Sequence, residues 1–432
     1  MSIADVVAML GAIATFLFGM STMTDGLEKL SSGRLENVLE RLTSNVFKGV
    51  LLGAVVTGLI QSSAATTVMC VGFVNAGIMK LSQTVGIIMG ANIGTTVTSL
   101  MLSVKLNFGV LFTAVGAICQ LAGNRSSFKL FGQIMMGLGI LFVGMDAMTA
   151  AMEPLQEWQG FRDMMEWARN PFVGVLVGAG VTALLQSSSA SVGILQALAA
   201  TGAISLQASL FILFGQNIGT CVTALLSSVG TNKNARRAAI VHLCFNVIGT
   251  TVWLSVFCIL NGIFHFGFVS QPTDQLGIAV VHTIFNVLCT CLMLPASGLL
   301  EKLACKIIPD TKTEESKTEL DERLMATPSI ALERCRVVTG EMAADAANAL
   351  KTSLRMVSSY DPEQAVRVRE QEEETDHYED SLGTYLVKLS TCSLSDEDSN
   401  EAAKLLHVIG DFERISDHAV NILESAEEIQ EK

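Results

Sequence analysis

GVLLGAVVTGLIQSSAATT, residues 49–67, returns 125 positions later as GVLVGAGVTALLQSSSASV, residues 174–192. The match runs without a gap from 49–104 onto 174–229, and 25 of the 56 positions are identical. The first copy holds Gln61-Ser62-Ser63 and later Asn92-Ile93-Gly94-Thr95, with Thr98 following. The second holds Gln186-Ser187-Ser188-Ser189 and Asn217-Ile218-Gly219-Thr220, with Thr223. Between these marks only generic apolar character is retained. What recurs is small, polar and uncharged. Such groups are costly in hydrocarbon unless something binds them. Polar interruptions at equivalent points of two apolar halves mark the binding site of many transporters.

Composition sets the class. Half of the 432 residues are apolar and the mean hydropathy is +0.48, as expected of a polytopic membrane protein. Charge divides the chain. Residues 1–309 carry 15 Lys+Arg and 12 Asp+Glu, whereas 310–432 carry 13 and 29. The last third therefore reads as a soluble acidic module. Met1-Ser2-Ile3-Ala4-Asp5 lacks a basic lead-in, so no cleavable signal peptide is expected. The ten cysteines show neither disulfide nor zinc spacing. Nothing is basic enough for nucleic acid.

A bilayer core needs roughly 20 apolar residues in helix. Stretches 3–24, 81–103, 107–123, 130–150, 206–229, 237–263 and 276–300 are the expected spans. Segments 46–79 and 171–203 are broken midway by Gln-Ser-Ser, leaving halves of about 15 residues, or roughly 22 Å. That is too short to cross, so each is expected as a re-entrant helical hairpin. Lys29, Arg34, Arg41, Lys48, Lys80, Arg125, Lys129, Lys233, Arg236, Arg237, Lys302 and Lys306 then fall on one side, with only Lys105, Arg162 and Arg169 on the other. The excess places the first side in the cytoplasm, the N-terminus outside and the tail inside. The expected fold is all-α, with two inverted repeats each containing a hairpin. The expected domains are 1–124, 125–263 (inverted), a final span in 264–309, a charged linker 310–327 and a three-helix bundle in 328–432. Gly19-Met20 and Met23-Thr24 recur as Gly144-Met145 and Met148-Thr149, extending the repeat upstream.

A broken helix offers free backbone N–H groups and a dipole that favours an anion. Gln61, Ser62, Ser63, Gln186, Ser187, Ser188 and Ser189 add amide and hydroxyl donors, and so suit an oxyanion. Asn92, Thr95, Thr98, Asn217, Thr220 and Thr223 offer oxygens to a small hard cation such as sodium, with Gly94 and Gly219 permitting local unwinding. No Lys or Arg lies at the expected midplane, so an anion there calls for co-bound cations. His242 with Asn246, and His282 with Asn286, each share a helix face; an ion role and simple interhelical bonding both fit them. Asp146 is the one acid well inside a span. The glycines at 132, 137 and 139 read as packing.

The doubled Gln-Ser-Ser with Asn-Ile-Gly-Thr, and the two His-x-x-Phe-Asn segments, resemble the sodium-dependent phosphate cotransporter family, the bacterial branch related to animal type II sodium/phosphate cotransporters. The resemblance covers about residues 1–300. It implies sodium-coupled movement of inorganic phosphate, with the two Gln-Ser-Ser hairpins forming the substrate and sodium region. Ala64 stands where the fuller motif has a third serine, so no hydroxyl is available there.

The tail shows helical patterns at about 329–358, 362–391 and 396–430. Asp361-Pro362 and Ser395-Asp396 supply cap chemistry. Residues 411–422 resemble the signature of PhoU-type phosphate regulators, of which one half-unit is present. The resemblance implies metal held by acids one turn apart. The matching positions are Glu413 and Asp417, with Glu372 or Glu373 and Asp376. A solvated acidic face is the favoured reading of these positions, with metal as an option, and the tail is read as a regulatory or dimerising module.

The leading reading is a sodium/phosphate symporter working by alternating access, with no cofactor beyond the coupling ion. A phosphate exporter, a carrier of another oxyanion or carboxylate, and a non-transporting phosphate sensor remain as alternatives. No Walker motif, Ser-His-Asp spacing or hydrolase metal cluster speaks for an enzyme.

Overall fold

In a computed structural model the described residues are 3–31, 45–104, 108–123, 126–309, 320–326, 328–392, 394 and 396–431. Arg34, Arg41, Lys105, Arg125, Ser395 and most of the 310–327 linker lie outside them. The chain separates into two compact units, Met1–Thr313 and Glu314–Lys432. Every regular element among the described residues is helical, apart from one isolated bridge between Ser205 and Pro272.

Six helices of the first unit are long and apolar enough to cross a membrane: Ile3–Leu30, Leu81–Ser103, Ser127–Glu157, Leu206–Ser227, Lys233–Phe264 and Gln275–Met293. Of the seven expected spans, six meet that measure among the described residues. The segment 107–123 forms a helix of only 14 residues, Gly109–Ala122. A correction concerns 276–300. The helix stops at Met293, because Pro295 has neither the N–H nor the room to continue it, and Ser297–Ile307 starts afresh. An unanticipated helix, Gln159–Trp167, meets Pro171–Leu185 at 109°. The surface is apolar, with Leu121 89% and Leu184 86% exposed, while Thr57, Asn92, Asn217, Asn246, His282 and Asn286 are buried. Polar groups inside and apolar groups outside suit a lipid surround.

Glycine fixes the helix spacing. A Cβ on Gly53 would overlap the Ile87 carbonyl, one on Gly90 the Val50 carbonyl, and one on Gly94 the Ala54 carbonyl. These pairs place Val46–Ile60 against Leu81–Ser103, close and parallel. Gly178 against Ile212, Gly215 against Val175 and Gly219 against Ala179 repeat the arrangement in the second copy. Parallel packing requires the chain to turn back at Gln61, since the five residues between Asn75 and Leu81 reach at most about 20 Å. The contact between Thr57 and Thr66, 2.9 Å between hydroxyl oxygens, holds the two arms together at that turn.

Ile3–Ser31 and Ser126–Met152 pack with opposite sense. Gly144 abuts Phe16, Gly19 abuts Leu141, Gly137 abuts Met23 and Gly26 abuts Ile134. Leu141 is Phe16 displaced by the repeat offset, and Gly144 is Gly19 displaced likewise. The contact is thus self-complementary between copies, the mark of a two-fold relation. Gly132 and Gly139 of the same helix receive Gln120 and Thr113 of Gly109–Ala122, so these glycines serve packing.

The second unit holds three helices, Pro328–Met356, Pro362–Ser390 and Asp396–Glu431. Asp361 caps the second by accepting from the Glu363 N–H at 3.0 Å. Ala349, Met356, Ala365, Val368, Ala419, Leu423 and Ala426 form its buried core. Arg369 and Glu427 clamp two helices through N–O distances of 3.1 and 2.8 Å.

Candidate functional site

Gln61 and Gln186 end their helices in the left-handed region, at φ 61° and 51°. This conformation costs a non-glycine residue about 1 kcal/mol, and it occurs at both equivalent positions. Ser62 and Ser187 then cap the next helix. Their hydroxyls accept from the Ala65 and Ala190 N–H groups at 3.1 and 3.2 Å. The N–H groups of Ser63 and Ala64, and of Ser188 and Ser189, begin the two helices without intrahelical partners. Thr182 donates to Ser191 at 2.8 Å, matching the Thr57–Thr66 bond. The two tips touch, with the Ser63 and Ser188 hydroxyl oxygens 3.4 Å apart.

A cavity of about 220 Å³ opens at this junction, lined by Gln61, Ser62, Ser63, Ala64, Gln186, Ser187, Ser188 and Ser189 together with Met20, Ser21, Thr24 and Asp25. All seven tip residues singled out from the sequence therefore share one wall. The other wall is a discovery of the structure. The expected span ended at Thr24, but the helix runs on to Ser31, so Asp25 is a helical residue facing the tips rather than a flank. The recurrence of Gly19-Met20 and Met23-Thr24 was the signal that this helix belongs to the site. Among the described residues, no Lys or Arg lines the cavity.

The members of the expected cation set differ in their bonds. Thr98 donates to Gln61 Oε1 at 2.8 Å and receives Ser189 Oγ at 3.4 Å, so it ties the tips to the Leu81–Ser103 helix. The Gln61 amide nitrogen donates to the Gly58 carbonyl. Asn92 and Thr95 donate to carbonyls of their own helix, each at 2.9 Å. Thr220 donates to the Asn217 carbonyl at 2.6 Å, and Asn217 donates to Asn286 Oδ1 at 2.7 Å. Thr223 is half-buried and is not among the described residues that line the tip cavity. Gly94 lies within an unbroken helix, whereas Gly219 ends one at Thr220. Asn246 and Asn286 each donate back to the carbonyl of their paired histidine, at 3.1 and 2.9 Å. Ser99 meets His282 Nδ1 at 3.1 Å. Asp146 lines a separate cavity of about 390 Å³ with Thr149, Glu153 and Gln275.

In the tail, Glu372, Asp376, Glu413 and Asp417 crowd one another across two helices. Burial, then repulsion by Asp417, raises the carboxyl pKa of both Glu372 and Glu413 above the usual range. Glu373 instead lines a groove with Glu370 and His377. Among the described residues no group of three or more His, Cys, Asp or Glu is placed to hold a metal.

The model of the Na+/Pi-cotransporter family matches residues 15–150 and again 152–285, and that of the PhoU domain matches 339–426. Uncharacterized protein YqeW of Bacillus subtilis is 31% identical over 300 residues, covering 69% of this chain and 96% of that protein. YjbB of Escherichia coli, a proposed inorganic phosphate export protein, is 26% identical over 414 residues, or 95% of this chain and 76% of its own. Sodium-dependent phosphate transport protein 2A of Rattus norvegicus is 40% identical over 97 residues, which are 21% of this chain and 14% of that one. No solved structure matches the chain. With a doubled family match over most of its apolar part, this chain belongs to the Na+/Pi-cotransporter family and carries a PhoU domain near its C-terminus.

Proposed function

We propose that the protein carries inorganic phosphate across a bilayer by sodium-coupled alternating access, with phosphate bound between the two Gln-Ser-Ser tips. The observation that carries this reading is the 3.4 Å meeting of Ser63 with Ser188 beside a cavity built from both broken helices. Four unpaired backbone N–H groups, the serine hydroxyls and the exposed Gln186 amide converge there. Together with two helix dipoles, they suit a tetrahedral oxyanion that lacks a protein cation beside it.

In the membrane, the Gln61 and Gln186 turns are re-entrant hairpins of two inverted repeats, 1–124 and 125–263. Parallel packing of each first arm on its following helix supports the hairpins. The opposite running sense of Ile3–Ser31 and Ser126–Met152 supports the inversion. Gly109–Ala122 packs antiparallel to Ser126–Met152 through Gly116 and Gly139, so it returns the chain and serves as a short seventh crossing. The excess of basic residues then lies on the cytoplasmic side, with the PhoU tail as a regulatory module. Asn92, Thr95, Asn217 and Thr220 act in positioning, and Thr98 couples a tip to its neighbouring helix.

Net export is the second reading. The export-named relative aligns over nearly the whole chain, whereas the sodium-dependent relatives align over under a quarter. Purified protein in liposomes tests the coupling that the first reading requires. Labelled phosphate should accumulate only under an inward sodium gradient and should not be displaced by sulfate or succinate. Uptake indifferent to sodium overturns the coupling, and saturable binding without accumulation overturns transport.

A further inference from the structure

The wall opposite the serines has a chemistry of its own. Ser21, Thr24 and Asp25 stand at i, i+3 and i+4 of one helix, so all three face the cavity. Among the described residues, Asp25 is the one charged side chain in that lining. A carboxylate in a cavity otherwise furnished for an anion repels the anion unless a cation lies between them.

The hydroxyls point the same way. In membrane helices, Ser and Thr usually donate to a carbonyl one turn back. Thr15 and Thr113 do so, and so does Thr149, the repeat mate of Thr24, which donates to the Met145 carbonyl at 3.0 Å. Ser21 and Thr24 make no such bond among the described residues, and their oxygens are left to the cavity. Two neutral oxygens and one carboxylate form a hard, oxygen-only set of single charge, suited to a small monovalent cation rather than to a transition metal. Asp25 is also unshared between the copies, since its repeat mate is Ala150. Glu28 and Lys29 are its charged neighbours on the same helix.

We infer that Ser21, Thr24 and Asp25 form a sodium site that faces the serine tips across the cavity, with Asp25 as the charged ligand. This deepens the reading of the tips as the phosphate site and rests on it. The bound cation neutralises Asp25 and presents positive charge to a phosphate oxygen. The anion therefore binds well only after the cation. Sodium selectivity comes from this helix, not from the duplicated motifs.

The test measures the two ligands separately on full-length protein. Equilibrium binding of labelled sodium without phosphate should be saturable in wild type. In Asp25→Asn its half-saturation should rise at least about 10-fold, and in Thr24→Val a smaller amount, with Asp146→Asn as the control that leaves it unchanged. At saturating sodium, phosphate affinity of Thr24→Val should stay within about threefold of wild type. An unchanged sodium half-saturation in Asp25→Asn, in protein that melts like wild type, overturns the site. If wild type binds sodium through Asp25 but accumulates phosphate without a sodium gradient, the site stands and the symport reading falls.

Discussion

Ser63 and Ser188 lie 125 residues apart in sequence, the repeat interval itself, and their hydroxyl oxygens approach to 3.4 Å. A residue in contact with its own duplicate sits on the axis relating the copies. Under the proposed reading, a substrate bound there meets equivalent groups from both sides. Losing one hydrogen bond to a charged ligand costs about 1.5–3 kcal/mol. Ser63→Ala and Ser188→Ala should therefore each weaken phosphate binding roughly 10- to 100-fold. Radiolabelled phosphate titration checks this, and equal binding by both variants and wild type would refute it.

The tips are equivalent in sequence but not in their bonds. Thr98 holds Gln61, whereas Gln186 is exposed and no bond from Thr223 reaches it among the described residues. Thr98→Val should slow phosphate uptake several-fold, and Thr223→Val should leave phosphate binding in the present conformation within twofold. The comparison of uptake with equilibrium binding in the two variants separates them.

Close helix packing makes a sharper demand. A methyl group at Gly53 or Gly178 has no space, because it would overlap the carbonyls of Ile87 and Ile212. Gly53→Ala and Gly178→Ala should destabilise the membrane unit by on the order of 3 kcal/mol. Gly180→Ala, two residues from Gly178 but with nothing within 4 Å of its Cβ, should melt like wild type. Thermal unfolding in detergent followed by size exclusion reports all three.

The acidic contact in the tail gives a pH dependence of definite sign. Burial, then Asp417, holds the Glu413 carboxyl above its ordinary 4.5. A carboxyl raised in the folded state contributes stability that is complete below its unfolded pKa. That contribution is lost as pH rises through the folded value. Amide exchange in Pro362–Ser390 and Asp396–Glu431, corrected for intrinsic rate, should be slower at about pH 5 than at about pH 7.5. Glu413→Gln should slow it at the higher pH and flatten the difference.

Much of this architecture was legible in the duplication. Gln-Ser-Ser within an otherwise apolar run has too few residues on either side to cross, and the break falls where the two copies agree. The helix ends in the tail followed from Asp361-Pro362 and from amphipathic spacing. Other features were hidden for physical reasons. Hydropathy ended the first span at residue 24 because charge begins at Asp25, yet a helix does not stop where its surroundings turn polar. That the amide nitrogens of Asn92 and Asn217 are spent on the Ile88 carbonyl and on Asn286 was also hidden, because a sequence does not show which carbonyl or side chain lies within reach. Gly94 suggested unwinding but lies in an unbroken helix, whereas the helix does break after Gly219, and both glycines also form the contact between helices. Nor could spacing choose between Glu372 and Glu373 for the acidic cluster, since adjacent residues on a helix diverge by about 100°.

The lone Thr98–Gln61 bond carries a further consequence. Letting the copies trade places would surrender this link and make its twin, Thr223 to Gln186, leaving the tally of interactions almost unchanged. Under the proposed alternating access, two such forms, separable by small pushes from a solute or an ion, would be the outcome of having written one half of the machine twice.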